Sequence, residues 1–194
     1  MGNGNNDNSY NNGSEIPYVV SEIFEFLIKE GSEDFWKAIK YEDYNCLDKP
    51  NLTKAEKKKM IYTYGEDLGK FNIYLNSPLV APEQSECKII LKAYKIRTKP
   101  INRMDFVLSY NFDILTHTTM ANMESNSNMV SRIDFIESQL IDMLNGRYFS
   151  FGQTVFDREA SLDSQTYLGI NNSTNFYGNT MCIVVNNFRA DNGG

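Results

Sequence analysis

Residues 106–120, FVLSYNFDILTHTTM, alternate apolar and polar side chains almost without a break, and a chain that carries such a run must build a sheet. Phe106, Leu108, Tyr110, Phe112 and Ile114 share one face of the strand, while Ser109, Asn111, Asp113 and His117 share the other. At roughly 3.3 Å per residue, residues 105–117 extend about 40 Å. An ordinary strand has about five or six residues, so one end is expected to project beyond the core. The preceding stretch, ECKIILKAYKIRT, is β-branched and alternating, with a slip in the pattern near Ala93. A Pro-containing connection, KPINR, joins the two into a long antiparallel hairpin.

Helices flank this hairpin. Val20, Ile23, Phe24, Leu27 and Ile28 recur at helical spacing within residues 17–30, and Gly31 is a natural stop. Ser32 is placed to cap a second helix, EDFWKAIKY, with Phe35, Trp36 and Ile39 on its buried side. A loop around Pro50 leads to a capping box, Thr53 with Glu56, and a third helix anchored by Met60, Ile61 and Tyr64 that ends near Gly65. Lys54, Lys57, Lys58 and Lys59 read as its solvated face. After a polar, Met-dotted loop, THTTMANMESNSN, the principal helix is expected over residues 128–145. Met129, Ile133, Ile136, Leu140 and Met143 form its stripe, widened by Val130, Ile141 and Leu144, and Asn145-Gly146 closes it. Arg132, Glu137, Ser138 and Asp142 lie away from that stripe. The remainder reads as strands around a turn, the last strongly apolar from Met181 to Val185.

The fold class is therefore α+β: a mainly antiparallel sheet with a long hairpin, one principal helix packed on it, and a small N-terminal helical layer. The expected organisation is a disordered arm over residues 1–15, a single domain over 16–188 (helical over 16–80, sheet plus helix over 81–188), and a flexible tail over 189–194. The terminal segments are rich in Asn and Gly and have too few apolar groups to offset the entropy of ordering.

Among 194 residues the formal net charge is −6, which argues against a DNA reader that depends on cations gripping phosphates. Cys46, Cys87 and Cys182 stand far apart, as buried free thiols in a reducing compartment would. The opening residues match neither a signal peptide nor a myristoylation pattern, and no apolar run approaches the roughly 20 residues needed to span a bilayer. The expectation is an intracellular or particle-borne protein with no membrane partner.

Catalytic signatures are sparse. Phosphate loops, zincin motifs, nucleophile elbows and zinc-ligand spacings are missing from the sequence. His117, the sole histidine, has only Asp113 as an acid on its strand face, and reads as structural. Glu86 and Lys88 have the Glu-x-Lys spacing of metal-dependent nucleases, which need a further acid such as Asp67, yet the same spacing recurs at Glu56 and Lys58 on a helix. The sequons at Asn51, Asn171 and Asn172 carry no meaning without secretion. The chain is expected to be no enzyme, to bind no cofactor and to hold no metal.

The run FWKAIKYEDYNCLDKPNLTKAEKKKMIY, in which Leu47, Lys49, Pro50, Leu52 and Thr53 form a turn before a Lys/Glu-rich helix, resembles the N-terminal part of tailed-phage neck and head–tail connector proteins. The later order also resembles phage tail-terminator and tail-completion proteins: a strand (FVLSYNFDILTH), a polar loop, a helix (SRIDFIESQLIDMLNGRYFSFG) and an apolar closing strand (NTMCIVVNNF). The resemblance covers residues 33–188. It implies a structural virion protein, assembled in the host cytoplasm into a hexameric or dodecameric ring between portal and tail proteins, with DNA passing through without sequence-specific binding. In such a ring His117, Met120, Asn122 and Met123 are expected to reach a neighbouring subunit, since exposed Met adapts to varied contacts. The alternatives are another structural or adaptor protein of a phage particle, or a small metal-dependent nuclease using Glu86 and Lys88.

Overall fold

The computed structural model describes residues 18–62, 71–75, 89–100, 106–163 and 176–186. The expected terminal arms, Tyr64, Gly65, Asp67, Asn171, Asn172 and the Glu86-Cys87-Lys88 stretch lie outside those residues. Val19–Glu30 forms the first helix, α1, and the five apolar residues of its stripe are all buried. Gly31 ends it at a crowded point, where a Cβ would run into the Leu27 carbonyl. Glu33–Lys40 is α2, with Phe35, Trp36 and Ile39 inward as the spacing requires. Trp36 Nε1 donates to the Leu27 carbonyl at 2.9 Å and so ties α2 to α1. Ser32 holds the N-cap position but makes no side-chain capping bond; its amide meets the Met143 sulfur at 3.1 Å instead.

Lys54–Lys59 is α3, and its capping box is complete. The Thr53 amide reaches Glu56 Oε2 at 2.8 Å, and the Glu56 amide reaches Thr53 Oγ1 at 3.2 Å. The four-lysine face is not wholly solvated, however. Lys57 is buried, 2.6 Å from Glu33 Oε1 and above the Trp36 ring, its aliphatic stem crossing apolar surface while its charge stays paired.

Ile73–Leu75 (β1), Ile89–Pro100 (β2) and Phe106–His117 (β3) follow. Strands β2 and β3 are the anticipated antiparallel pair, 12 residues each. The slip falls between Lys95 and Arg97 rather than at Ala93, and leaves Ile96 outside the register. Strand β1 joins β2 in parallel at Leu91–Ala93, an addition that three residues of sequence are too short to announce.

The largest departure comes next. Asn122–Ser125 (β4) and Asn128–Ser131 (β5) pair as a separate hairpin where the spacing predicts a loop and the first helical turn. Asn126 and Ser127 take left-handed φ values of 50° and 63°, the signature of a tight hairpin turn, so the chain reverses before it coils. The principal helix, α4, then runs over Arg132–Leu144 and closes at Asn145 and a left-handed Gly146 (φ 77°). Tyr148–Phe149 (β6), Gly152–Phe156 (β7), a short helix α5 (Arg158–Asp163) within the region read as strands, and Phe176–Asn186 (β8) complete the described chain.

The six-stranded sheet has the order β1-β2-β3-β8-β7-β6 and is antiparallel except at the β1 edge, so the architecture is α+β as the sequence implies. The N-terminal helices and α4 pack on one face. Phe24 of α1 stacks on Phe112 of β3 with centroids 6.4 Å apart, and Ile136, Leu140 and Leu144 share the core with Met181, Ile183 and Val185. Burial of each such large apolar side chain contributes roughly 1.5–3 kcal/mol.

Helical spacing puts Arg132 on the polar side of α4, yet it is fully buried. Its Nη1 donates to the carbonyls of Ala38 (3.3 Å) and Tyr41 (2.6 Å), and its Nη2 to those of Glu42 (3.3 Å) and Asp43 (2.7 Å). The guanidinium thereby satisfies backbone acceptors at the C-terminal end of α2 and in the loop after it, where a cation is favoured. Burial lowers its pKa from the ordinary arginine value, and the carbonyl cage offsets part of the lost hydration, leaving Nε without a partner among the described residues.

Two stability measurements check this account. Replacing Arg132 with Met strands four carbonyls and is expected to cost about 3 kcal/mol or more in urea unfolding. Replacing Ser127 with Gly relieves a left-handed non-glycine residue and is expected to add about 1 kcal/mol, read as a higher melting temperature.

Candidate assembly surface

His117 ends β3 and is 8% exposed. Its Nδ1 accepts the Thr119 amide at 3.3 Å and lies 2.7 Å from Thr119 Oγ1, so the ring caps a short 3-10 turn at Thr118–Met120. The same ring meets Phe176 edge-on at 5.3 Å. Asp113 does not orient it. Four residues along the strand is about 13 Å, and the Asp113 carboxylate accepts instead from Thr180 Oγ1 at 2.8 Å.

The methionines of the expected contact loop face inward. Met120 and Met123 are 5% and 0% exposed, and the Cys46 sulfur lies 4.0 Å from that of Met123. In the β4–β5 register Met123 opposes Val130 on the inner face, while Glu124 opposes Met129 on the outer. Asn122 is exposed, and Met129, which the helical spacing assigns to the core, is 61% exposed. Tyr44 is exposed beside this hairpin, and its carbonyl accepts the Glu124 amide at 2.7 Å. Of the four expected contact residues, only Asn122 thus presents its side chain fully to solvent. The Asn126-Ser127 pair between two Asn-Met stretches was the available sequence signal for this turn.

On the sheet face away from the helices, Lys92, Asp113 and Thr180 form a row across β2, β3 and β8, all buried. Tyr94 and Asn111 form the next rung, and Asn111 Oδ1 has no hydrogen-bond partner among the described residues. Burial is the leading cause of both ionic shifts. It holds the Lys92 ammonium below its ordinary 10.5, with Asp113 opposing, and lifts the Asp113 carboxyl above its ordinary 3.8, with Thr180, Tyr94 and Lys92 opposing. Burial likewise raises the Cys46 and Cys182 thiols, the latter to about 11, which makes both poor nucleophiles.

Among the described residues no group of three or more His, Cys, Asp or Glu side chains is placed to hold a metal ion, and no helix is long and apolar enough to cross a membrane. The chain matches the YomW family model over residues 32–185, from the N-cap of α2 almost to the end of β8. It belongs to the YomW family. No curated protein and no solved structure matches it.

YomW is a phage-derived family, so the coarse part of the expectation, a phage-associated protein, stands. The family match spans the Arg132 cage, the long β2–β3 hairpin, the β4–β5 hairpin and the buried row, and it leaves α1 outside. The features that define the surface thus lie within the matched residues.

The buried row yields a test. A carboxyl raised in the fold contributes stability below pH 3.8 that is lost as pH rises through its folded value. An ammonium lowered in the fold contributes stability above pH 10.5 that is lost as pH falls through its folded value. Both shifts record desolvation of the charged forms, a cost that removing the two groups together abolishes. The double substitution Lys92→Met with Asp113→Asn is therefore expected to raise stability at pH 7 by about 1–4 kcal/mol, whereas Asp113→Ala alone leaves the Thr180 hydroxyl without its acceptor and the lysine without its nearby opposite charge, and is expected to lower it by about 1–3 kcal/mol. Denaturant titrations of the three proteins compare these outcomes.

Proposed function

We propose that this YomW-family chain is a non-enzymatic structural protein of a phage particle that forms a ring at the portal–tail junction, as a head–tail connector or tail-completion protein. The observation that carries the reading is the β2–β3 hairpin. Of its 12-residue outer strand, β1 covers only Leu91–Ala93, so among the described residues the edge from Tyr94 to Pro100 has no strand partner. A strand edge of that kind is a template for a neighbouring chain. A ring joins unlike patches of successive subunits head to tail, and a strand edge without a partner among the described residues supplies one such patch, although β3 itself is paired with β8 along its length and does not project. Asn122, Met129 and Tyr44 on the β4–β5 side form a second exposed group for contacts with portal or tail proteins. The net negative charge suits a channel through which DNA slides without being held.

The test is location and phenotype. Cryo-electron microscopy of purified particles is expected to find the chain as a hexameric or dodecameric ring at the junction, and particles made without it are expected to accumulate filled heads and unjoined tails. Its absence from the particle would sink the reading.

A further inference from the structure

One short helix concentrates positive charge in an acidic chain. Helix α3 holds Lys54, Lys57, Lys58 and Lys59 against the single acid Glu56, a balance of +3 within six residues of a chain whose net charge is −6. Lys57 is buried on Glu33, and Lys58 reaches Glu25 at 3.4 Å. Lys54 and Lys59 are exposed, as is Lys40 at the end of α2, and none of these three has an ion pair among the described residues. The Glu56 carboxylate is engaged in the capping box, where the Thr53 amide and hydroxyl donate to it at 2.8 and 2.7 Å. Ala55 is also exposed, one turn before Lys58 and Lys59, so the middle of the lysine face is low.

The outer face of α4 has the opposite charge around a small centre of its own. Asp134, Ser138 and Asp142 stand four residues apart along the exposed stripe, with half-buried Glu137 beside them. The Ser138 hydroxyl donates to the Phe135 carbonyl at 2.8 Å and so turns back on its own helix. Asn179 Nδ2 donates to Glu137 Oε2 at 3.2 Å and Asp134 Oδ1 at 3.5 Å, which orients the two carboxylates without neutralising them. The helix's single cation, Arg132, is buried in its carbonyl cage. Asp142 stands in the last turn, which has no basic residue, so it sits at the negative end of the helix dipole. Among the described residues no ion pair joins α3 to α4, and the acids of α4 have no cation partner at all.

We infer that the lysine face of α3 in one copy docks on the Asp134–Glu137–Asp142 face of α4 in a second copy. Ala55 and Ser138 let the two helices approach closely while Lys54, Lys58 and Lys59 meet the carboxylates around them. The occupant is another copy of this chain rather than nucleic acid, because Glu25 and Glu56 interrupt the lysines and the chain as a whole repels a phosphate backbone. Since the two faces differ, the contact is heterologous and propagates from copy to copy. The inference rests on the proposed ring and names a pair of surfaces that would build it.

Sedimentation velocity of the full chain at low salt tests it. The wild type is expected to self-associate, and salt that screens exposed charges is expected to reverse this. The pair Lys54→Glu and Lys59→Glu breaks no described ion pair and is expected to weaken association by about tenfold or more, as is the pair Glu137→Lys and Asp142→Lys. Combining all four reversals in one chain restores complementarity and is expected to restore association, which a folding defect cannot do. A wild type that stays monomeric at its highest soluble concentration, or a fourfold variant without recovery, overturns the inference. So does a lysine variant that self-associates normally but no longer retards a double-stranded DNA fragment, an outcome that assigns the α3 face to nucleic acid. A ring seen at the junction in particles that assemble normally from either charge-reversed pair removes this contact alone and leaves the proposed function standing.

Discussion

One buried guanidinium joins the two halves of this protein. Arg132 opens α4, the helix packed on the sheet, and its Nη atoms reach the carbonyls that end α2 and begin the following loop. A buried charge without a carboxylate partner is costly in an apolar medium, and the four carbonyls on its Nη atoms offset much of that cost. The helical layer therefore cannot slide over the sheet without breaking several charge-assisted bonds at once. Trp36 on Leu27, Lys57 on Glu33 and Asn72 Nδ2 on the Ile89 carbonyl secure the same layer at its other margins.

Much of this was legible in the chain itself, because period and capping are local. The α1 stripe, the Thr53–Glu56 box, the β3 alternation and the apolar run of β8 follow from spacing alone, and each stands where the pattern puts it. The errors share a different origin. Residues 128–131 fit a helical stripe as well as a strand, and the turn at Asn126 and Ser127 decides between them. Arg132 looks solvated by spacing, and its burial depends on carbonyls about 90 residues away that no periodicity encodes. Met120 and Met123 read as adaptable contacts in a polar loop, but which side of a hairpin faces the core depends on a register that is fixed only in three dimensions.

The same distinction applies to function. Membership of a phage-derived family agrees with the texture of the sequence, and the absent catalytic motifs left a scaffold as the simplest reading. The surface that carries the proposal, a strand edge with no strand partner among the described residues, emerges only when pairing is mapped onto topology. The sequence shows the length of β2, but not that β1 stops short of it.

The position of β8 has a consequence for how such a chain is made. It follows every other described strand in the sequence, yet it lies in the middle of the sheet, hydrogen-bonded to β3 on one side and β7 on the other. Until it arrives, translation leaves two halves of a sheet with bare inner margins, and β3 alone offers 11 residues of unsatisfied ladder. A nascent chain in that state is open to capture by a sibling on the same message, whose β8 can fill the gap in trans. In cells that make many copies at once, the speed with which residues 176–186 reach their slot sets the balance between orderly subunits and strand-swapped aggregates.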